Sequence, residues 1–164
     1  MTLVYRVASR KYANTFWSGE GAIVSSSRWL PAGFPVVYTA ESVSLAVLEY
    51  MVHDRFFAEG TVVIAEAEIP GGVAIRSVRV EDLGRGWDSS KAARHQRECR
   101  PVGLQWVTQM KAVGLRVPSA VTAGEWNVLL NTGHRDFTRL RLGLPTQFKV
   151  DERLLERPSR RRGH

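Results

Sequence analysis

The hydrophobic pattern changes period twice between residues 36 and 70, and this limits the fold more than any other feature of the chain. VVYTA (36–40) is a β-rich run. SVSLAVLEYMVHDRF (42–56) then repeats at helical spacing: at 100° per residue, Leu45, Leu48, Val52 and Phe56 fall on one narrow face. TVVIAEAEIP (61–70) alternates, with Val63, Ala65, Ala67 and Ile69 on one side and Glu66 and Glu68 on the other, until Pro70-Gly71-Gly72 ends it. Strand, helix and half-exposed strand in this order require a sheet with a helix laid against it.

The remaining segments extend this pattern without making it regular. LVYRVAS (3–9) reads as a strand carrying Arg6, and residues 10–35 are rich in turn formers. Residues 80–112 are expected to hold one or two helices, with Pro101 starting or interrupting one. LRVPSAV, EWNVLLN, FTRLRLG and TQFKV follow as short strands or extended segments. The order is mixed rather than βαβ, which argues for α+β and against a doubly wound sheet. GEGAIV (19–24) has Gly-x-Gly but Val24 where a third glycine is needed, and no Gly-Lys-Ser/Thr loop is present. Any nucleotide phosphates would therefore be met mainly by side chains such as arginine.

Within these apolar stretches stand four polar residues: Arg28, Tyr38, Glu49 and Ser119. Burying an unpartnered charge is costly, so this set marks a candidate site. Glu49 falls about 40° from Leu45 on the helix, inside the apolar stripe. A carboxylate there is either paired structurally or does chemistry. His53, four residues on, is a possible partner for it.

Composition bounds the function class. With 164 residues, 44% hydrophobic and 24% charged, residues 1–156 suffice for a single domain. No run approaches the roughly 20 apolar residues of a membrane span. MTLVYRVASR lacks a signal-peptide layout, and the single Cys99 forbids an internal disulfide, so the expected location is the cytoplasm. Cys99 itself reads as an inert small side chain. The net charge of +7 invites a nucleic-acid reading, supported by Trp17, Trp29, Trp87, Trp106 and Trp126. However, Arg157, Arg160, Arg161 and Arg162 supply four of those seven charges from the last eight residues, which read as a disordered basic tail (157–164). No RNA-binding motif accompanies them, and direct nucleic-acid binding is not expected.

Together YRVAS, GEGAIVSSSRW, GFPVVYTAESVSLAVLE, LRVPSAV and WNVLLNTGHRDF resemble, in order, the RES domain, over residues 4 to 150. Arg28, Glu49 and Ser119 fill its three naming positions and Tyr38 a fourth. The chain departs from the family pattern at Ser26 and Ser27, where glycines are usual, and at Leu30, Thr132 and Arg135. The resemblance implies an ADP-ribosyltransferase-like fold: two packed, roughly perpendicular small sheets with flanking helices and a cleft for NAD between them. It implies a bacterial toxin that uses NAD as substrate, with no metal, paired with an Xre-type helix-turn-helix antitoxin that blocks the cleft. Such toxins degrade NAD or transfer its ADP-ribose to a protein.

With NAD as the substrate, the chemistry of its cleavage assigns expected roles, the alternative for Arg6 being a strand residue with its head in solvent and for Tyr38 an ordinary strand aromatic. Glu49 stabilises the ribose as it gains positive charge, and Arg28 and Arg6 take the pyrophosphate. Tyr38 stacks on nicotinamide, and Ser119 meets the ribose or the carboxamide. Asn127 and Asn131 are expected to be structural, and His134 is given no role.

Overall fold

The structure is a computed structural model, and it describes residues 1–53 and 62–155. Its strands are β1 (Thr2–Ser9), β2 (Val36–Ala40), β3 (Val62–Ile69), β4 (Ile75–Ser77), β5 (Gly114–Pro118), β6 (Trp126–Asn131), β7 (Arg141–Leu142) and β8 (Thr146–Phe148). Its helices are α1 (Glu20–Val24), α2 (Val43–His53), α3 (Ala92–Gln109) and α4 (Glu152–Leu155). Phe56 and the tail at 157–164 lie outside the described residues.

The fold is α+β, as expected. The strands form one curled sheet in the order β4-β5-β6-β2-β1-β3-β7, with β8 also on β3. Its two halves are joined thinly. β2 pairs with β6 over five residues and β1 with β3 over eight, but β1 meets β2 at the single pair Tyr5–Ala40. The expected pair of small sheets is thus two halves of one hydrogen-bonded network. β6 lies second-neighbour to an edge on one side and deep in the sheet on the other, and its VLL run is buried on both faces. Leu129 enters a core with Trp29, Leu30, Cys99, Trp106 and Leu115, whereas Val128 and Leu130 enter one with Val4, Val37 and Ile69.

Two helices depart from the expected pattern. In α2 the buried residues are Leu45, Ala46 and Val47, while Leu48 is 39% and Val52 64% exposed. Taking Leu45 as zero, the buried sector runs to about 200° and Leu48 and Val52 lie at about 300° and 340°. The helix lies broadside on the sheet, over Val7, Ala40 and Val62, so its contact face is wider than a stripe and rotated away from Leu48 and Val52. Glu49, at about 40°, still falls inside the buried sector. In α3 the helix runs through Pro101 without stopping. Pro101 is exposed, and burial of Cys99, Gly103, Trp106 and Val107 on the opposite face holds the helix together there.

Gly103 lets the α3 backbone come close to the Trp29–Leu30 segment: a Cβ there would run into the Trp29 carbonyl oxygen. The segment 10–35 is more ordered than a loop, with a 3-10 turn at Arg10–Thr15 before α1. Among the described residues, no helix is long and apolar enough to cross a membrane.

Candidate functional site

The start of α2 is fixed to β6 by side chains. Ser42 Oγ accepts the Leu45 N–H at 3.1 Å, capping the helix, and donates to Glu125 Oε2 at 2.9 Å. The Glu41 N–H donates to the Trp126 carbonyl at 3.0 Å. Arg116 of β5 forks onto Glu41 (2.5 and 2.9 Å) while its guanidinium sits 3.9 Å from the Trp126 ring centroid. These contacts set the position of α2 over the Trp126–Asn127 end of β6.

Glu49, seven residues into the helix, projects onto that end of the strand. Its Oε1 accepts two hydrogen bonds, from Ser119 Oγ at 2.8 Å and from Asn127 Nδ2 at 2.6 Å. Ser119 is 4% exposed, and its Oγ accepts the N–H groups of Val121 and Thr122, both at 3.1 Å. With both acceptor positions used, its one proton is committed to Glu49. Both donors meet the same oxygen, and Oε2 has no hydrogen-bond partner among the described residues. The carboxylate is thus held by one oxygen and presents the other.

Asn127 was expected to be structural, and the structure places it on Glu49. Its signal in the sequence was slight: it shares a strand face with the buried Leu129, where an amide needs a partner. Asn131 is structural as expected, accepting the Gly133 N–H and donating to Met110 Sδ. His53 does not pair with the Glu49 carboxylate; its Nδ1–H donates to the Glu49 backbone carbonyl at 3.0 Å.

Tyr38 faces Leu129 across the β2–β6 pair, and Ala40 faces Asn127, so period two puts Tyr38 and Asn127 on one face of the sheet. Tyr38 lines a cavity of about 170 Å³ with Arg6, Val36, Gly19, Gly21, Ala22 and Ser25 to Ser27. Arg6 lies 5.3 Å from the Phe16 ring centroid, and its Nε is buried without a hydrogen-bond partner among the described residues. Burial lowers the Arg6 guanidinium to about 10 and raises the Tyr38 phenol to about 12, the latter only partly offset by its bond to Ser27. Both keep their protons at neutral pH.

Arg28 is not among the residues that line this cavity. Its Nη1 donates to the carbonyls of Trp87 (2.5 Å) and Ser89 (3.1 Å). Cys99 Sγ donates to the same Trp87 carbonyl at 3.6 Å, and His95 Nδ1 donates to Ser89 O at 2.8 Å, so the segment at 87–89 is strapped to α3. Arg28 Nε and Nη2 have no partner among the described residues. Cys99 is fully buried and its thiol is pushed up to about 12, chiefly by burial, which suits an inert role. His134 is buried and structural: Nδ1 accepts the Asp136 N–H and Nε2 donates to the Met110 carbonyl, both at 3.0 Å.

Comparison with known proteins follows the same boundaries. The model of the RES domain matches residues 3–151. A protein of Photorhabdus laumondii named "Toxin Res" is 33% identical over 94% of this chain and 97% of its own length. One of the same name from Yersinia enterocolitica is 33% identical over 93% and 99%. The "Prs ADP-ribosylating toxin" of a Sphingobium strain is 30% identical over 95% and 98%. Among solved structures, a chain of the M. tuberculosis MbcT-MbcA toxin–antitoxin complex superposes with a TM-score of 0.73 at 18% identity, covering 90% of this chain and 84% of that one. This last likeness is one of fold.

Proposed function

The chain belongs to the RES domain family, and from that premise we propose that it is the toxin of a bacterial toxin–antitoxin pair that cleaves NAD at the bond between nicotinamide and ribose. The observation that carries this reading is the Glu49 carboxylate, clamped at Oε1 by Ser119 and Asn127 with Oε2 unpaired among the described residues.

Cleavage of that bond asks little of a general acid, because nicotinamide leaves neutral from a cationic ring. The barrier lies in the ribose, which takes on oxocarbenium character. A fixed carboxylate oxygen beside it stabilises the growing positive charge and costs no reorganisation in the transition state. Glu49 Oε2 has that role here, and can also orient the incoming nucleophile. Asn127 and Ser119 act through Glu49, and Ser119 is committed to that bond rather than to the ribose or carboxamide. Arg6 has a buried, unpaired donor suited to a phosphate oxygen. Arg28 keeps Nε and Nη2 for the pyrophosphate while Nη1 holds the 87–89 segment. Tyr38 offers its ring to nicotinamide.

The acceptor of the ADP-ribosyl group is water or phosphate in this reading. A second reading, transfer to a protein, is favoured by the relative named for ADP-ribosylation. The partner is an Xre-type antitoxin that covers the cleft, for which the cationic Arg6 and Arg28 would receive an acidic group.

Cellular NAD measured after brief induction of wild type and of Glu49→Gln tests the reading. Loss of NAD with wild type alone is the expected result. Growth arrest at normal NAD, with a discrete modified protein by mass spectrometry, would move the assignment to protein ADP-ribosylation. A folded Glu49→Gln chain that consumes NAD at the wild-type rate would remove Glu49 from the chemistry.

A further inference from the structure

Hydrogen-bond counting at Ser27 fixes a proton that matters for the neighbouring cavity. Ser27 Oγ accepts the N–H groups of Trp29 and Leu30, both at 3.1 Å. A hydroxyl has two acceptor positions and one proton, so the proton remains to be placed. One acceptor within reach is the Leu30 carbonyl, at 3.4 Å, which already takes the Ser27 N–H at 2.8 Å. The other is Tyr38 Oη, at 2.5 Å. The shorter and uncommitted contact receives it. Were Tyr38 to donate instead, Ser27 would have to accept three hydrogen bonds.

Tyr38 is therefore the acceptor of this pair, and its own O–H is left without an acceptor among the described residues. Arg6 lines the same cavity with a buried Nε that likewise lacks one. Among the described residues no carboxylate lines this space; its polar side chains there are those of Arg6, Tyr38 and Ser25 to Ser27. A hydroxyl proton without an acceptor and a guanidinium whose buried Nε lacks one thus belong to two residues that line one small cavity, which suits an acceptor from outside the chain.

We propose that Ser27 is a positioning residue that turns the Tyr38 hydroxyl into a hydrogen-bond donor, so that Tyr38 and Arg6 together grip an oxyanion, a phosphate group in particular. The proposal deepens the NAD reading above and rests on it only for which molecule carries that phosphate. It also gives Tyr38 a polar role besides stacking.

Calorimetric titration of the full chain, carrying Glu49→Gln so that NAD survives, with inorganic pyrophosphate and separately with NAD tests this. Ser27→Ala and Tyr38→Phe should each weaken pyrophosphate about tenfold, the scale of one hydrogen bond to a charged group. The double variant should lose little more than Tyr38→Phe alone, because Ser27 acts only through the Tyr38 hydroxyl. Ser27→Thr keeps the hydroxyl and should bind as the parent does. A parent that binds no pyrophosphate, Ser27→Ala at parental affinity, or losses that multiply in the double variant would each overturn the proposal. Should Ser27→Ala fail to fold, Tyr38→Phe at parental affinity is the overturning result. The expected pyrophosphate pattern without NAD binding would leave Ser27 its role and remove the NAD reading.

Discussion

A carboxylate that must sit beside a developing cation has two requirements: an open oxygen and a fixed orientation. Glu49 meets the second through Ser119 and Asn127, which converge on Oε1. Asn127→Ala removes one donor and leaves the fold, because the strand pairing around residue 127 is made by backbone groups. The expected result is a kcat for NAD lowered about tenfold with little change in KM, since the lost contact matters most as charge develops. Steady-state kinetics of NAD loss would show it, and a raised KM at unchanged kcat would place Asn127 on the substrate instead. Glu49 was legible in the sequence because a carboxylate interrupted a helical apolar pattern, and Ser119 through a family motif. Asn127 was not, since its partner lies 78 residues away and is brought to it only by the way α2 crosses β6. Ser27 was hidden for a related reason: among three consecutive serines in a turn-rich stretch, nothing in the sequence marks the one that reaches Tyr38.

At the scale of elements, α3 is the wall against which the Ser27–Leu30 segment is built. Trp29 and Leu30 are buried, and Gly103 lets the helix backbone reach the Trp29 carbonyl. A methyl at 103 has nowhere to go without moving either the helix or that segment. Gly103→Ala is expected to lower stability by about 1–3 kcal/mol, the usual cost of forcing extra volume into a packed site. Gly21→Ala in α1 is the contrasting case, because its Cβ would meet nothing within 4 Å and alanine favours the helix. Thermal denaturation of the two variants should show a lowered midpoint for the first and an unchanged or slightly raised one for the second. Equal midpoints would mean that α3 shifts freely and does not set the position of Arg28. The sequence foresaw a helix in this region but not its passage through Pro101, because propensity counts a lost N–H and a steric clash without the tertiary packing that offsets them. The stripe assigned to α2 erred differently: a helix laid flat on a curled sheet buries a sector, and periodicity alone cannot say where that sector is centred.

The whole molecule joins two half-sheets at one residue pair, and its proposed site is divided the same way. Arg6 comes from β1, whereas Tyr38, Ser119 and Asn127 belong to the β5-β6-β2 half and its connections. The succession of elements along the chain, apart from β4, and the α+β class were legible, but the strand order in the sheet and this junction were not, because pairing between distant strands leaves no local mark on sequence. Net charge was legible, but it does not by itself mark a site. Of the +7, four charges come from arginines in residues 157–164, while the proposed site draws on residues 6 to 127. If the chemistry resides in that site, a chain ending at residue 156 should consume NAD at the full-length rate. Any salt-sensitive retention of RNA by the full chain should instead follow the arginines: removing four of them should reduce the slope of log affinity against log salt by about 3, at roughly 0.7 per neutralised phosphate on a single strand. Filter binding across a salt series, with both chains, measures this. An unchanged slope would put the RNA contact on the body of the protein, and a truncated chain that binds RNA as before but spares NAD would overturn the assignment of function to the Glu49 site.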